Sequence, residues 1–320
     1  MKIYSIGTAT LDIYFIFDDL RFYFKNISEK NDVKEYFADI GGGGLNFAYN
    51  FLKLNLDSTA IIKLGNDFIS KFIKKVIEEK KIKSHIIYTR GNSSLSFIFL
   101  DKLGNKYIFT HRGDEIFKLK EIPITQNNVY YVSTGQTSPQ KWLKVFHLLK
   151  QNKNFIGVNP SKNFLFNLRG LKYFDFIDFL NINFYEANLM IKYRVTNENK
   201  LNFLRTFRRK LNWIKYILIT EDKNGSWLLT QDKIYHCETY KKLKIVDTTG
   251  AGDCFGSTFL GLLVKNNFDN SENKLKLYLK YATINTAFNL SKIGAQTGII
   301  PLNKLEKYKN EKLKIKIFSL

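Results

Sequence analysis

The chain is poor in several features that mark common protein classes. Its 320 residues include only 2 cysteines, Cys237 and Cys254, and 4 prolines. Two cysteines provide neither a disulfide framework nor a zinc-binding pattern, and their scarcity suits a reducing compartment. The opening MKIYSIG is soon followed by acidic residues and lacks the layout of a signal peptide. No apolar run approaches the roughly 18 residues that a membrane span needs, so we expect a cytoplasmic protein with no membrane partner.

Acidic residues are also scarce, at 29 against 50 basic residues, which gives a net charge of +21. A surplus of this size is compatible with nucleic-acid binding. However, only 8 of the 50 basic residues are arginine, and the lysines are spread along the chain. Nucleic-acid sites favour arginine because it makes bidentate contacts. We therefore do not expect nucleic acid to be the main partner, and the 44% hydrophobic content instead predicts a folded protein with a sizeable core.

Short apolar segments alternate with longer amphipathic ones along most of the chain. The short segments are typical of buried strands and the longer ones of helices, and this alternation predicts an α/β fold with a mainly parallel central sheet flanked by helices. The predicted strands are KIYSIG, STAIIKLG, KSHIIYT, NNVYYVSTG, NFIGVN, FIDFLNIN and IKYILIT. The predicted helices include LNFAYNFLKLN, NDFISKFIKKVIEEKK, SPQKWLKVFHLLKQN, EANLMIKYRV, ENKLNFLRTFRRKLN and CFGSTFLGLLVK.

Two regions, at about residues 13–40 and 94–112, break this alternation. The first holds IYFIF and RFYFKN with charged turns and no clear helix, and the second reads as a β-hairpin around a glycine-containing turn. We predict that they form a small separate sheet beside the core, within a single domain that spans residues 1–320. Aromatic side chains in these regions would pack within the sheet, form a dimer seam or stack on a nucleobase. They are Phe15, Phe17, Phe22, Tyr23, Phe24, Phe97 and Phe99.

The stretch DTTGAGDCFG joins a short strand to a predicted helix that begins near Gly252. Backbone N–H groups of Gly250, Ala251 and Gly252 would then form an anion site at a helix N-terminus. Phosphoryl transfer needs such a site because negative charge develops on the moving oxygens. Asp253 beside it could take a proton from an attacking hydroxyl. A simpler interpretation is that Asp253 only complements the helix dipole.

A second glycine cluster, in DIGGGGLNFAYNFLKLN, places residues 41–44 before a helix with Asn46 in its first turn. Four glycines in a row indicate that the backbone approaches a ligand closely. The amide of Asn46 is both donor and acceptor, which suits a polyol hydroxyl. The alternative is that Asn46 only caps the helix after a flexible loop.

The two clusters together carry a family resemblance. Gly-Gly-x-Gly-x-Asn-x-Ala, followed some two hundred residues later by Asp-Thr-x-Gly-Ala-Gly-Asp, resembles the two signatures of the ribokinase-like (PfkB) kinases. The resemblance extends from IGTATLD to KIGAQTGIIP. It implies a ribokinase-like fold with a β-sheet lid formed by about 13–40 and 94–112, and an ATP-dependent carbohydrate kinase. Asp253 would be the catalytic base, and Gly250, Ala251 and Gly252 would form the anion hole.

The resemblance also implies an acceptor site. Asp12, at the end of SIGTATLD, matches the acid of the family that grips substrate hydroxyls, and Gly42, Gly43 and Asn46 match its sugar-binding loop. Arg112 in IFTHRGDE would return from the lid to a hydroxyl, carboxylate or phosphate of the acceptor, or would lie on a solvated lid edge.

ATP and Mg²⁺ are the implied cofactors. Asn183 and Glu186 in NINFYEANLM match an Asn-x-x-Glu motif that organises Mg²⁺, usually through water. In LITEDKNGSWLL, Thr220 and Gly225 match a turn that contacts the nucleotide. Asp222 stands there in place of a usual glycine, and its charge would repel phosphate unless the side chain turns away.

Two further nucleotide-side assignments follow from the resemblance. Asn285 in NTAFNLSKIGAQTG is predicted to be a neighbour of the adenine. A potassium ion held through backbone carbonyls near Asp247 and Thr249 is a cofactor that some members of the family use and others do not.

The resemblance therefore predicts phosphorylation of a hydroxymethyl group of a small sugar, as in a ribokinase or fructokinase. Three alternatives stay open: a nucleoside kinase of the adenosine type, a kinase of an acidic or phosphorylated sugar, and a non-catalytic binding protein on the same fold. The protein would be a monomer or a homodimer joined through its lid.

Overall fold

A computed structural model describes residues 1–23, 32–193, 195–196 and 199–320. The strands are β1 (Ile3–Ile6), β2 (Thr10–Phe17), β3 (Glu35–Gly41), β4 (Ser58–Leu64), β5 (Ser84–Tyr88), β6 (Ser94–Asp101), β7 (Lys106–His111), β8 (Val129–Ser133), β9 (Phe155–Asn159), β10 (Phe179–Asn183), β11 (Tyr216–Thr220), β12 (Ser226–Leu229), β13 (Lys233–Cys237) and β14 (Ile315–Ser319). The helices are α1 (Leu20–Tyr23), α2 (Gly43–Lys53), α3 (Phe68–Glu79), α4 (Pro139–Gln151), α5 (Lys162–Phe166), α6 (Phe184–Ile191), α7 (Lys200–Lys210), α8 (Ala251–Lys265), α9 (Glu272–Leu290) and α10 (Leu302–Leu305).

The main sheet has ten strands in the order β14-β13-β12-β11-β10-β9-β8-β1-β4-β5. The strands from β11 to β5 in this order pair in parallel, while β12, β13 and β14 add an antiparallel edge. Parallel strands need both faces covered, which explains why their sequences are almost continuously apolar. The seven strands predicted for the main sheet are present, and the mainly parallel α/β prediction is confirmed. The short strand predicted just before Asp247 is wrong, since residues 243–248 form a loop.

Two hydrophobic clusters cover the two faces of the main sheet. One contains apolar side chains of α4, α5, α6 and α7, with Trp142 and Phe146 fully buried. The other contains side chains of α2, α8 and α9, with Phe47 and Phe51 fully buried. Helices α2 and α8 lie on the same face of the main sheet and pack against each other there.

A separate four-stranded sheet, called the small sheet below, has the order β3-β2-β6-β7. Strands β6 and β7 form the predicted hairpin, with Phe97 opposite Phe109. A third hydrophobic cluster joins Leu11 and Ile40 of the small sheet to α3. The prediction of a second sheet from the two irregular regions is therefore confirmed.

Three features of these regions differ from the sequence expectation or lie outside it. A short helix, α1, follows β2, where no clear helix was predicted. Strands β12, β13 and β14 were not among the predicted strands. Phe24 lies outside the described residues. Within the described ranges, no helix is both long enough and apolar enough to cross a bilayer.

Candidate active site

Polar side chains collect where neighbouring parallel strands end. Asn159, Asn183 and Thr220 are the last residues of β9, β10 and β11, which are adjacent in the main sheet. Asn183 and Thr220 are directly paired in the strand register. In open parallel sheets the carboxyl edge is where ligands bind, because the loops there leave a crevice. The predicted Asn183 and Thr220 thus share one edge with Asn159, which the sequence reasoning did not single out.

Helix α8 begins at this edge. Its N-cap is Gly250, whose backbone is left-handed with φ of 73°. A Cβ at Gly250 would lie 2.9 Å from the carbonyl oxygen of Ala295, so a side chain would meet both strain and a close contact. Ala251, Gly252 and Asp253 form the first turn, where N–H groups have no intrahelical partners. The predicted anion site therefore has the helix N-terminus that it requires.

Asp253 and Asn46 are joined directly, although 207 residues separate them. Asn46 Nδ2 donates to Asp253 Oδ2 at 2.7 Å, and Asn159 Nδ2 lies 3.3 Å from Asp253 Oδ1 as a second donor. Burial raises the pKa of Asp253 to about 6, and the hydrogen bond from Asn46 opposes this rise. At neutral pH the group is therefore mostly ionised and still basic enough to accept a proton.

A chain of hydrogen bonds sets the direction of the Asn46 amide. Gln296 Nε2 donates to Asn46 Oδ1 at 3.0 Å, which leaves the Asn46 NH₂ group facing Asp253. Lys80 Nζ donates in turn to Gln296 Oε1 at 3.0 Å and to Asp39 Oδ1 at 2.6 Å. Asn46 therefore does not cap α2, whose N-cap is Gly42 without a side-chain cap; its amide holds the carboxylate of the other glycine motif.

The glycine loop, residues 41–44, packs against the turn after β1. Gly42 is the N-cap of α2 with φ of 91°. Gly43 N donates to Thr8 Oγ1 and Gly44 N to Thr8 O, both at 3.0 Å. Both Asp12 and Asn46 adjoin this loop, since a Cβ on Gly41 would come within 2.1 Å of Asp12 Oδ2.

Asp12 lies on the face of the small sheet that also carries Asp39 and Ser96, its partners in the strand register. It is 7% exposed. Burial raises the pKa of Asp12 to about 7, with smaller upward contributions from the charges of Asp39 and Asp247 and an opposing hydrogen bond from Ser96. Near neutral pH this carboxyl group can accept from a hydroxyl when ionised or donate to one when protonated.

The predicted aromatic residues of the small sheet point away from Asp12. Phe15, Phe97 and Phe99 share the opposite face by register, and Phe15 stacks on Phe97 and Phe99 with centroid distances of 6.2 and 5.3 Å. The rings on the Asp12 face are Tyr14 and Phe37, which stack at 4.7 Å. Aromatic content alone did not reveal which rings face the site.

The β7 hairpin strand contacts the loop before α8 through Lys106. Its Nζ lies 2.9 Å from Thr248 Oγ1, 3.2 Å from Thr249 Oγ1 and 3.3 Å from Asp247 Oδ1. Asp247 also accepts from Thr249 N and Oγ1 through Oδ1, and from Gly294 N through Oδ2. The side-chain oxygens of Asp247 and Thr249 thus already hold donors and an ammonium group, which leaves the backbone carbonyls of this loop as the groups predicted to adjoin potassium.

A cavity of about 910 Å³ opens beside the N-terminus of α8. Its lining includes Thr220, Asp222 and Gly225 on one side and Ala251 and Gly252 on another. The remaining wall includes Tyr240, Leu243, Ile245, Phe255, Thr286, Ala287 and Leu290. A cavity with an N–H-rich end and an apolar end suits a nucleotide.

Two nucleotide-side residues need comment. Asp222 has φ of 42°, a left-handed backbone that glycine adopts without strain, so the glycine usual at this position has a conformational reason. Asn285 does not line the cavity, contrary to the adenine prediction. It is fully buried on another face of α9, where it donates to Asn50 and Thr258 and accepts from Ile300 N. Thr286 and Ala287, the next residues of that helix, line the cavity instead.

Asn183 and Glu186 form a reciprocal cap at the start of α6. Asn183 Oδ1 accepts from Glu186 N at 2.8 Å, and Glu186 Oε2 accepts from Asn183 N at 3.0 Å. Burial raises the pKa of Glu186. The described residues include no group of three or more His, Cys, Asp or Glu side chains that could enclose a metal ion. One carboxylate beside an amide fits Mg²⁺ that is held mainly by phosphate oxygens and water.

Arg112 is predicted to reach the acceptor, but its side chain is 61% exposed. The acid nearest to it is Glu115, and Arg112 Nη1 lies 3.9 Å from Glu115 Oε2. The structure does bring Asn159, Gln296, Lys106 and Glu115 to this edge, and the sequence reasoning missed all four. Of these, only Asn159 had a sequence signal, as the polar residue that ends a predicted buried strand.

Comparison with known proteins agrees with this geometry. A family model described as "pfkB family carbohydrate kinase" matches residues 1–301. The chain is 26% identical to a ribokinase of Staphylococcus aureus over 313 residues, 93% of this chain and 96% of the relative. It is 26% identical to a nucleoside kinase of Methanocaldococcus jannaschii over 275 residues, 82% of this chain and 84% of the relative.

Among solved structures, an Arabidopsis thaliana ribokinase complexed with ribose and ATP superposes with a TM-score of 0.75 at 18% identity, over 97% of this chain and 99% of that one. The fold predicted from the sequence is thereby confirmed, and the family match confirms the prediction of a carbohydrate kinase. With a family match over nearly its whole length, the chain belongs to the pfkB family of carbohydrate kinases.

Proposed function

We propose that the protein transfers the γ-phosphoryl group of ATP to a hydroxymethyl group of a small neutral sugar. The observation that carries this proposal is the 2.7 Å hydrogen bond between Asn46 and Asp253, at the N-terminus of α8 and beside the nucleotide-sized cavity. It unites an acceptor-binding loop, a base and an anion site in one place. A non-catalytic role is disfavoured, because binding alone needs no partly buried carboxylate of raised pKa at that point.

In this mechanism Asp253 takes the proton of the acceptor hydroxyl as the oxygen attacks the γ-phosphorus. Asn46 and Asn159 hold the carboxylate by its two oxygens and so fix its direction. Backbone N–H groups of Gly250, Ala251 and Gly252 stabilise the charge that develops on the transferred group. Asp12 orients another hydroxyl of the acceptor, with the glycine loop beneath it.

Mg²⁺ is the second proposed cofactor. Glu186 and Asn183 would hold its water shell, and the ion would neutralise phosphate charge. Potassium is kept as an optional cofactor held by backbone carbonyls near Asp247 and Thr249, because Lys106 occupies only their side-chain oxygens.

The small sheet is proposed to act as a lid over the acceptor site, within a single kinase domain that comprises the whole chain. Its Asp12 face contacts the 247–250 loop through Lys106, which supports a covering role. Closing such a cover excludes water, which protects the phosphoryl group from hydrolysis.

A nucleoside is the second candidate acceptor. The observation in its favour is Phe37, which is partly exposed and lies on the Asp12 face of the small sheet by register. A ring in this position could stack on a nucleobase. An acidic or phosphorylated sugar is less favoured, because Asp12 and Asp39 share that face while Arg112 extends into solvent.

The outer face of the small sheet supports a homodimer joined through this sheet, with a monomer as the alternative. Phe97 and Phe109 are 38% and 58% exposed there, and Tyr36 is 74% exposed. Light scattering on the wild type and on Phe109→Asp would separate the two states.

The two cysteines are free and buried, which supports a cytoplasmic location.

An acceptor panel with ATP and Mg²⁺ tests the function. It should contain ribose, fructose, adenosine, a 2-keto-3-deoxy sugar acid and fructose 6-phosphate, with ADP release and phosphorylated product both measured. We expect turnover with a neutral acceptor, chiefly ribose or fructose. ATP-independent binding of nucleic acid without turnover of any acceptor would refute the proposal.

A further inference from the structure

Glu115 is a buried acid beside the candidate acceptor site whose hydrogen bonding is incomplete. It follows the β7 strand and is 4% exposed. Its Oε1 accepts from Ser94 Oγ at 2.6 Å. Its Oε2 is enclosed, and no donor among the described residues meets hydrogen-bond geometry with it; burial raises the pKa of Glu115, and the Gln136 amide lies near enough only to oppose this rise. The nearest cation, Arg112, is 3.9 Å away, which is too long for a hydrogen bond.

Neighbouring contacts place this oxygen near the glycine loop. A Cβ on Gly135 would lie 3.9 Å from Glu115 Oε2 and 3.5 Å from the methyl group of Thr8. Thr8 Oγ1 in turn accepts from Gly43 N. The oxygen therefore lies close to the turn that carries the proposed acceptor loop.

The other Glu115 oxygen is connected to the face of the small sheet that bears Asp12. Its donor, Ser94, is two residues from Ser96 on β6, so the two serines share a face. Ser96 is the register partner of Asp12. Asp12 and Glu115 therefore attach to the same face of one strand, close to the glycine loop.

Buried polar groups nearly always have a hydrogen-bond partner, because leaving one unpaired costs the full free energy of removing it from water. A carboxylate oxygen enclosed next to a ligand loop can be completed by a hydroxyl of that ligand. A carboxylate or phosphate on the ligand could not complete it, since both are acceptors and carry the same charge.

We propose that Glu115 binds a hydroxyl of the acceptor and that, together with Asp12, it restricts the enzyme to neutral polyhydroxylated acceptors. This inference rests on the proposed kinase function and specifies its substrate class. Glu115 does not touch the reacting oxygen. Its effect should therefore fall on acceptor binding more than on the chemical step.

The test uses the full-length protein, ATP and the best neutral acceptor of the panel. Glu115→Gln keeps the size of the side chain and removes its charge, and Glu79→Gln is the matched control, on a glutamate of α3 whose side chain is 60% exposed. We expect Glu115→Gln to raise the acceptor KM about 10- to 100-fold, with the KM for ATP unchanged and kcat changed less. Glu79→Gln should match the wild type.

A second measurement covers specificity. The wild type should have a higher kcat/KM for the neutral acceptor than for fructose 6-phosphate and the sugar acid. Glu115→Gln should bring these kcat/KM values closer together. An unchanged acceptor KM in a folded Glu115→Gln protein would overturn the inference while leaving the kinase function intact. So would a wild-type preference for an anionic acceptor that Arg112→Ala abolishes. If the wild type phosphorylates no acceptor on the panel, the proposed function itself fails.

Discussion

Replacement of Asp253 by asparagine separates the chemistry of the site from its stability. The variant keeps the shape of the side chain and an oxygen for the Asn46 amide, but it cannot take a proton. General-base catalysis contributes about 10²- to 10⁴-fold in rate, which corresponds to about 3–5 kcal/mol of activation free energy. We expect kcat to fall by this range while ATP still binds, because the cavity wall and the helix N-terminus are unchanged.

The same variant should also change how stability depends on pH, although its NH₂ group then faces the Asn159 amide donor. Burial raises the pKa of Asp253 from 3.8 to about 6. The unfolded chain therefore releases this proton at lower pH than the folded chain does, and wild-type stability is lost as pH rises from about 4 through about 6. A shift of about two units corresponds to about 3 kcal/mol as an upper limit. The Asp253→Asn variant has no such loss.

Urea unfolding at pH 4.5 and pH 7.5 measures the stability change, and steady-state kinetics measure the loss of turnover. The difference in unfolding free energy between variant and wild type should grow towards pH 7.5. Asp57→Asn, an exposed carboxylate paired with Lys83, is the control and should show neither effect. Turnover of Asp253→Asn within tenfold of wild type, or a stability difference independent of pH, would show that Asp253 is not the partly buried base.

Three further substitutions test separate parts of the site. Asn46→Leu removes a donor that stabilises the ionised form of Asp253, so the acid limb of the pH–rate profile should move to higher pH. An unchanged acid limb would show that Asn46 does not lower the pKa of Asp253. Gly250→Ala should lower stability by about 1–3 kcal/mol, measured by thermal unfolding, and should weaken ATP binding. The control is Gly104→Ala, also at positive φ but with no atom within 4 Å of a Cβ. It should show only the cost of the strained backbone. Asp222→Asn removes a charge from the cavity wall and should lower the KM for ATP severalfold, and an unchanged KM would mean that this side chain turns away from the phosphates.

The sequence predicted the main sheet well because its parallel strands are buried on both faces. Such strands are continuous apolar runs, which stand out between amphipathic helices. Strands β12, β13 and β14 pair antiparallel, and β13 (KIYHC) and β14 (IKIFS) interleave polar with apolar residues, so they lack that signal. The pairing of β13 with β14 joins segments that lie far apart in the chain, and local pattern cannot reveal it.

The residues of the candidate site were likewise predicted from the sequence only in part. Asn46 and Asp253 lie in glycine-rich motifs whose composition is unusual enough to be noticed. Glu115 and Lys106 lie in ordinary hairpin sequence and reach the site only through strand register and loop packing. Asn285 was misplaced because neighbouring residues of a helix point about 100° apart, so a shift of one residue moves a side chain from the cavity wall into the core.

Lys106 also bears on how molecules enter and leave. Its ammonium group bridges the hairpin to residues beside the anion site. If the small sheet moves as the proposed lid, these contacts must break once when the acceptor enters and once when the product leaves. Salt weakens attraction between charges, so ionic strength should change the rates of acceptor entry and product release independently of the chemical step.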